Sequence, residues 1–305
     1  MILITGAAGK TGKAVLRALS KEGQPVKALV FRREQIQEVE ELGAKEVLAG
    51  DMRHLETLEQ AMKGVHSVYH ICPNVNAEEI SIGQKIIAAA AAAGITHFVY
   101  HSVLHPQVEA MPHHWKKMRV EERLFESGLP FTILQPAAYM QNLLAGWENI
   151  YKNGKYHVPY AVESRISMVD LEDVARAAAF VLLDTGPQEH RPSHLGATYE
   201  LVGTPALTQI EVAEILAQQL ERPVVAERQP MDAWEQTARA AGMGEYQINT
   251  LVKMFNYYEK YGFSGDCHVL SWLLNRPATS LEAFLLRVIE DRLPSPQSIR
   301  RSYST

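Results

Sequence analysis

Three glycines near the start of the chain, Gly6, Gly9 and Gly12, stand at G-x-x-G-x-x-G spacing inside "MILITGAAGKTGKAVLRAL". A loop of this kind holds phosphate, because unpaired backbone N–H groups and the positive end of a helix dipole both favour an anion. Two phosphate chemistries compete for it. A nucleoside-triphosphate loop needs a glycine five positions before its Gly-Lys-Thr end. That end would be Gly9-Lys10-Thr11, and five positions back stands Ile4, within an apolar run. The spacing therefore fits a dinucleotide loop. Gly6 gives the tight turn, Gly9 lets the backbone approach the pyrophosphate, and Gly12 lets the helix pack on the strand. Lys10 and Thr11 become neighbours of the phosphates, against the plainer reading of an exposed helix start.

Twenty residues after Gly12 come Arg32 and Arg33. An acidic residue near this place would accept bonds from the ribose 2′-hydroxyl of NAD(H), whereas a guanidinium fork suits a 2′-phosphate. Glu34 follows one or two places late, so NADP(H) is favoured over NAD(H). His97, His101, His105, His113 and His114 are dense enough to raise a metal. They are divided among a strand, a loop and a helix start, with no H-E-x-x-H and no cysteine partner, so no metal site is expected. A cleft lined with polar side chains is the better reading. Cys72 reads as a small buried hydrophobe, with a redox-sensing role left open. Tyr156, Tyr160, Tyr257 and Tyr258 read as core or lobe surface.

Positioning such groups takes a layered frame, and the chain alternates strand-like and helix-like segments to build one. "MILIT", "PVKALVF", "KEVLAGD", "HSVYHI", "THFVYHS" and "PFTILQP" read as strands. Helical stretches near 34–43, 54–63, 76–93 and 115–127 separate them, and the first helix buries Ala14, Val15, Ala18 and Leu19 before stopping at Gly23. This rhythm implies right-handed βαβ units: an α/β, Rossmann-type doubly wound parallel sheet. Residues 1–150 form the expected NAD(P)-binding domain. Residues 151–305 form a smaller, mainly helical C-terminal lobe for substrate or partner, with 165–203 returning to the first domain. Asp170 is placed to cap a helix in "MVDLEDVARAAAFVLLD". "YELVG" and "PVVAERQP" read as strands around the helix "TQIEVAEILAQQL", "DAWEQTARAAG" and "INTLVKMFNYYEKYG" read as helices, and the tail "PSPQSIRRSYST" reads as frayed.

The bulk properties narrow the function. The chain has 305 residues, 47% hydrophobic and 21% charged, with a net charge of −5. That balance leaves no electrostatic footprint for nucleic acid or an anionic membrane. No apolar run is long enough to span a bilayer, and a strand begins almost at the first residue, so no signal peptide is expected. Two cysteines make no disulfide framework, and a cytoplasmic location is the default.

At this point the chain resembles a known group. "TGAAGKTG" matches the T-G-x-x-G-x-x-G loop of extended and atypical short-chain dehydrogenase/reductases. "AGDMRHLETLEQAMKGVHSVYHI" is similar to their third-strand Gly-Asp, helix, "KGV" turn and fourth strand. "MRVEERLFESGLPFTILQPAAYMQNLL" resembles the NmrA-like branch, with its E-x-x-L, S-G-L, T-I-L-R-P and aromatic-M-x-N segments; "LLNRPATSLEAFL" is similar to that branch's closing G-R-P-x-T-S. The resemblance implies that Thr5, Gly6, Ala8, Gly9, Lys10, Thr11 and Gly12 bind the cofactor. It implies that Asp51 accepts a bond from the adenine amino group with Met52 beside the ring, although Asp51 also reads as a plain turn residue. It places Ile71, Cys72 and Pro73 along the ribose and nicotinamide, and Pro136, Ala137 and Tyr139 near the nicotinamide or substrate.

Ordinary members of the wider group use Tyr-x-x-x-Lys, whose i, i+4 spacing sets both side chains on one helix face. Here "PHHWKKMRVEERL" puts Lys117 in register for the lysine and His113 where the tyrosine belongs. His113 then acts as an acid, or the site has lost its proton donor. Lys117 holds the nicotinamide ribose or protonates a carbonyl, and Ser102 bonds a substrate oxygen or merely satisfies the strand end. Two functions follow from the resemblance. The favoured one is an NADPH-dependent reductase of a small quinone-like or carbonyl substrate. The other is a non-catalytic NADP(H)-binding sensor acting through a protein partner. Self-association is left open.

Overall fold

The computed structural model describes residues 1–184 and 194–292. The tail read as frayed lies outside them. The first half runs β1 (Ile2–Ile4), α1 (Lys10–Lys21), β2 (Val26–Val30), α2 (Ile36–Glu41), β3 (Ala44–Ala49), α3 (Leu55–Met62), β4 (Ser67–His70), α4 (Glu79–Ala92), β5 (His97–His101), α5 (Pro112–Glu126) and β6 (Phe131–Pro136). It continues through β7 (Ala138–Tyr139), α6 (Trp147–Asn153), β8 (Lys155–Val158), β9 (Met168–Val169), α7 (Leu171–Leu183) and β10 (Ala197–Leu201). The last part holds α8 (Gln209–Leu220), β11 (Val225–Arg228), α9 (Met231–Ala240), α10 (Glu245–Tyr261), α11 (His268–Leu274) and α12 (Leu281–Arg292).

The main sheet has the order β10-β6-β5-β4-β1-β2-β3, and all its pairings are parallel. This is the Rossmann-type sheet expected from the βα rhythm. The five inner strands are buried on both faces, the edge strands β3 and β10 only in part, and period-two alternation divides the side chains between two cores. Ile2, Ile4, Tyr69 and Val99 face the layer containing Val15 and Leu19 of α1 and Val174 and Val181 of α7. Leu3, Val68, Phe98 and Tyr100 face Leu58 of α3, Ile86 of α4 and Val120 of α5. A Cβ on Gly83 would sit 2.6 Å from a Val120 methyl, so glycine there is what lets α4 and α5 lie close.

The order reverses between β1 and β4, so the connections after these two strands leave in opposite directions. A crevice opens at their carboxyl ends, which is where such sheets bind ligands. β10 adds to the sheet beside β6, and α7 lies against α1. Asp170 caps α7 by accepting from Glu172 N at 3.1 Å, as its position suggested. Two small parallel pairs, β7–β9 and β8–β11, follow the chain out of the sheet.

The C-terminal helices are tied back at two places. Asp173, 1% exposed, is ion-paired to Arg276 and accepts Thr279 N at 2.6 Å. Asp170 takes Arg287 at 2.7 Å. At the other end, Gln247 donates to the Asn74 carbonyl at 3.3 Å, and the Lys116 ammonium lies 4.7 Å from the centre of the Tyr246 ring. The start of α10 is thereby held against the loop after β4 and against α5.

Candidate functional site

Three glycines shape the loop between β1 and α1 in different ways. Gly6 has φ +60°, and a Cβ there would meet the Ile71 carbonyl at 2.9 Å. A Cβ on Gly12 would lie 2.7 Å from Ala7 Cα, so the helix is pressed onto the loop. Gly9 differs: it is exposed, and a Cβ there would meet only Gly6 O, at 3.2 Å, among described residues. Gly9 is also the N-cap of α1 and supplies no side-chain cap, so the first-turn N–H groups are available to an outside acceptor. That open, uncapped helix start fits a diphosphate. Lys10 is exposed beside it, Ala8 half-buried and Thr11 buried.

Thr5 works inward instead. Its hydroxyl oxygen accepts Ile71 N at 3.0 Å and meets His70 Nδ1 at 2.8 Å, so it fastens β1 to β4 across the crevice floor.

On the adenosine side, Arg32 and Arg33 are exposed after β2, in a turn where Gln35 accepts the Arg32 and Phe31 N–H groups at 2.9 and 3.2 Å. Asp51 is engaged by its own turn: Arg53 N donates to it at 2.9 Å and the Arg53 guanidinium grips it at 2.6 Å. That hydrogen-bonded guanidinium holds the Asp51 carboxyl below the usual range. Met52 packs on the second core.

The opposite side gathers polar groups at the ends of β4 and β5. Ile71 is half-buried and Pro73 exposed, while the Cys72 thiol is buried, which pushes its pKa up and keeps it protonated. Lys117 donates to Glu79 Oε1 at 3.0 Å and to the His101 carbonyl at 3.2 Å, above the Tyr100 ring. Glu79 is 3% exposed and also accepts the Tyr100 hydroxyl at 2.9 Å. Burial pushes the Glu79 carboxyl up, but the Lys117 charge and the hydrogen bonds from Lys117 and Tyr100 outweigh it, and the group stays ionised.

His113 lies one turn before Lys117. Burial, helped by the Lys117 charge, lowers its pKa to about 4, so it is neutral at pH 7 and is no reservoir of imidazolium. Its Nδ1 is buried with no partner among the described residues. Ser102 is spent inside the protein: it donates to buried Glu121, which also accepts Gln135 Nε2 at 3.0 Å. Its hydroxyl thus supports the frame rather than facing a substrate. The remaining histidines are likewise separated, with His97 on Thr132 at 2.9 Å and His114 on the Leu104 carbonyl at 2.9 Å.

A second polar chain runs through the other face. Thr11 Oγ1 is 3.3 Å from the Tyr139 hydroxyl, which is 2.7 Å from His101 Nε2, and His101 Nδ1 is 2.6 Å from the Tyr69 hydroxyl. Pro136 and Ala137 are buried just before Tyr139. Glu79, Tyr100 and Tyr69 were not singled out as site residues from the sequence, and His101 was noted only within the histidine group read as lining a polar cleft. The signal available was positional: a Tyr-His pair ending β5 and an acid in the first turn of an otherwise apolar helix.

The model of the NmrA-like family matches residues 1–286. The chain belongs to the NmrA-like family. Within reach of this NmrA-like chain is the NAD(P)H azoreductase of Xenophilus azovorans, 28% identical over 286 residues, 93% of this chain and 96% of the relative. The crystal structure of the NADPH-dependent quinone oxidoreductase of Escherichia coli complexed with NADPH is 26% identical, with a TM-score of 0.81 over 95% of this chain and 100% of that one. The Citrobacter triphenylmethane reductase complexed with NADP(H) is 24% identical with a TM-score of 0.79, covering 94% and 99%, a likeness of fold. No helix among the described residues is long and apolar enough to cross a membrane.

Proposed function

We propose that this chain is a cytoplasmic NADPH-dependent reductase of small quinone-like or carbonyl acceptors. The observation that carries the reading is the Lys117 ammonium, fixed at the end of β5 on the crevice whose other wall is the open glycine loop. When bound, NADPH supplies a hydride from its nicotinamide ring. Gly9, Thr11 and the first turn of α1 hold the diphosphate, and Arg32 with Arg33 takes the 2′-phosphate. Asp51 and Met52 border the adenine, and Ile71, Cys72, Pro73, Pro136, Ala137 and Tyr139 line the remainder. Two of the three Lys117 protons go to Glu79 and the His101 carbonyl, and the third is free for the acceptor's oxygen as it gains negative charge. Neutral His113 offers that oxygen a hydrogen bond, and a reduced quinone draws its remaining proton from water. The names of the azoreductase and quinone oxidoreductase relatives support this acceptor class.

A second reading, an NADP(H)-binding regulator without catalysis, draws on the histidine at position 113 in place of a phenol and on its neutrality. Fluorescence titration with NADPH and NADH, followed by a screen of quinone and carbonyl acceptors, tests the reductase. Wild type is expected to prefer NADPH, Arg32→Ser to lose about tenfold of that preference, and Gly9→Val to lose binding while staying folded. NADPH binding retained by Gly9→Val would overturn the site.

A further inference from the structure

The chain Tyr69–His101–Tyr139–Thr11 has a direction that its chemistry settles. Tyr69 is fully buried and His101 is 5% exposed. Burial, reinforced by the Lys117 charge, drops the His101 pKa to about 3, so the ring is neutral and carries one N–H and one bare nitrogen. It sits between two phenols, 2.6 Å from Tyr69 at Nδ1 and 2.7 Å from Tyr139 at Nε2. The bond to His101 is the one hydrogen bond of the Tyr69 hydroxyl among the described residues.

Two polarities are available. If Nδ1 carried the proton, it would donate to Tyr69, and the Tyr69 O–H would be stranded in the core. An ungiven buried donor costs about 1–3 kcal/mol. If Nε2 carries it, Tyr69 donates to Nδ1, Nε2–H donates to Tyr139, and the Tyr139 O–H is directed toward Thr11. The Tyr69, His101 and Tyr139 protons are then all given, and the Thr11 O–H is left for an outside acceptor at the uncapped start of α1.

We infer that Tyr69 and His101 are positioning residues that fix the Nε2–H tautomer, thereby turn the Tyr139 O–H onto Thr11, and so leave the Thr11 O–H as the hydrogen-bond donor toward the diphosphate of the cofactor. Neither reaches the cofactor; they act through Tyr139. The inference rests on the crevice being a dinucleotide site. His101 also joins the two walls of that site, since its backbone carbonyl holds Lys117 while its ring holds Tyr139.

The test reads the tautomer directly, in the full chain without cofactor, by nitrogen NMR of 15N-histidine protein, with the His101 signals assigned from a His101→Gln variant. Wild type is expected to show a protonated Nε2 and a bare Nδ1. Tyr69→Phe, close to isosteric, is expected to disturb that pattern and weaken NADPH binding about fivefold. Tyr139→Phe is expected to keep the wild-type tautomer, because Tyr69 still donates, yet weaken binding similarly; it guards against a folding defect in the first variant. A protonated Nδ1 in wild type, or NADPH affinity unchanged in both variants, overturns the inference alone. Failure of the wild-type chain to bind NADPH overturns the cofactor reading and this inference with it.

Discussion

At the scale of residues, the Lys117–Glu79 pair governs the chemistry and also the stability of its surroundings. Both side chains are largely withdrawn from water, at 14% and 4% exposure. Removing one charge strands the other, so Glu79→Gln and Lys117→Met are each expected to cost about 3 kcal/mol in urea unfolding. The double variant is expected to cost much less than the sum; strict additivity would show the two are not coupled. The sequence made Lys117 legible because its register follows from the helix that carries "VEE". Glu79 stayed hidden, since a glutamate in a first helical turn is ordinarily a solvated partner of the helix dipole. Only the sheet topology, which brings α4 beside the end of β5, turns it inward. The same holds for Glu121: its E-x-x-L spacing was visible, but its bonds to Ser102 and Gln135 need three separate elements.

At the scale of elements, five of the six strands of the first half, all but the half-exposed edge strand β3, were readable because burial on both faces demands continuous β-branched and apolar runs. β8 was not, because "KYHV" is a short polar alternation whose pairing with β11 depends on residues seventy positions away. The Arg-Pro-x-Thr-Ser segment acquires a physical meaning here, as Arg276 and Thr279 N close on Asp173 beneath α7. Arg276→Ala leaves that buried carboxylate with one donor fewer and is expected to cost about 2 kcal/mol. Hydrogen exchange should then quicken across α11 and α12 while the sheet amides keep their protection. Uniform quickening would contradict a local clasp.

At the scale of the whole molecule, the fold keeps several histidines neutral inside. His70, His97 and His113 are lowered to about 4 and His101 to about 3, each chiefly by burial. Their unfolded values lie near 6.5, so below that pH the unfolded chain binds more protons than the native one, and stability falls as acid is added. Each contributes about 2 kcal/mol of loss between about pH 7 and about pH 5. Urea midpoints should therefore drop steeply over that window, and His97→Gln should flatten the slope by about one proton. Constant or rising stability at about pH 5 would show that these rings titrate normally.

We propose that Lys117, held by Glu79 and the end of β5, serves a reductase. The most direct test is NADPH oxidation by quinone acceptors, followed by the loss of nicotinamide absorbance, in wild type and in Lys117→Ala, after titration shows that both bind NADPH. The expected result is turnover in wild type and a loss of about a hundredfold in the variant at similar cofactor affinity. Tight NADPH binding by wild type with no turnover on any acceptor would contradict the claim and leave the regulator in its place.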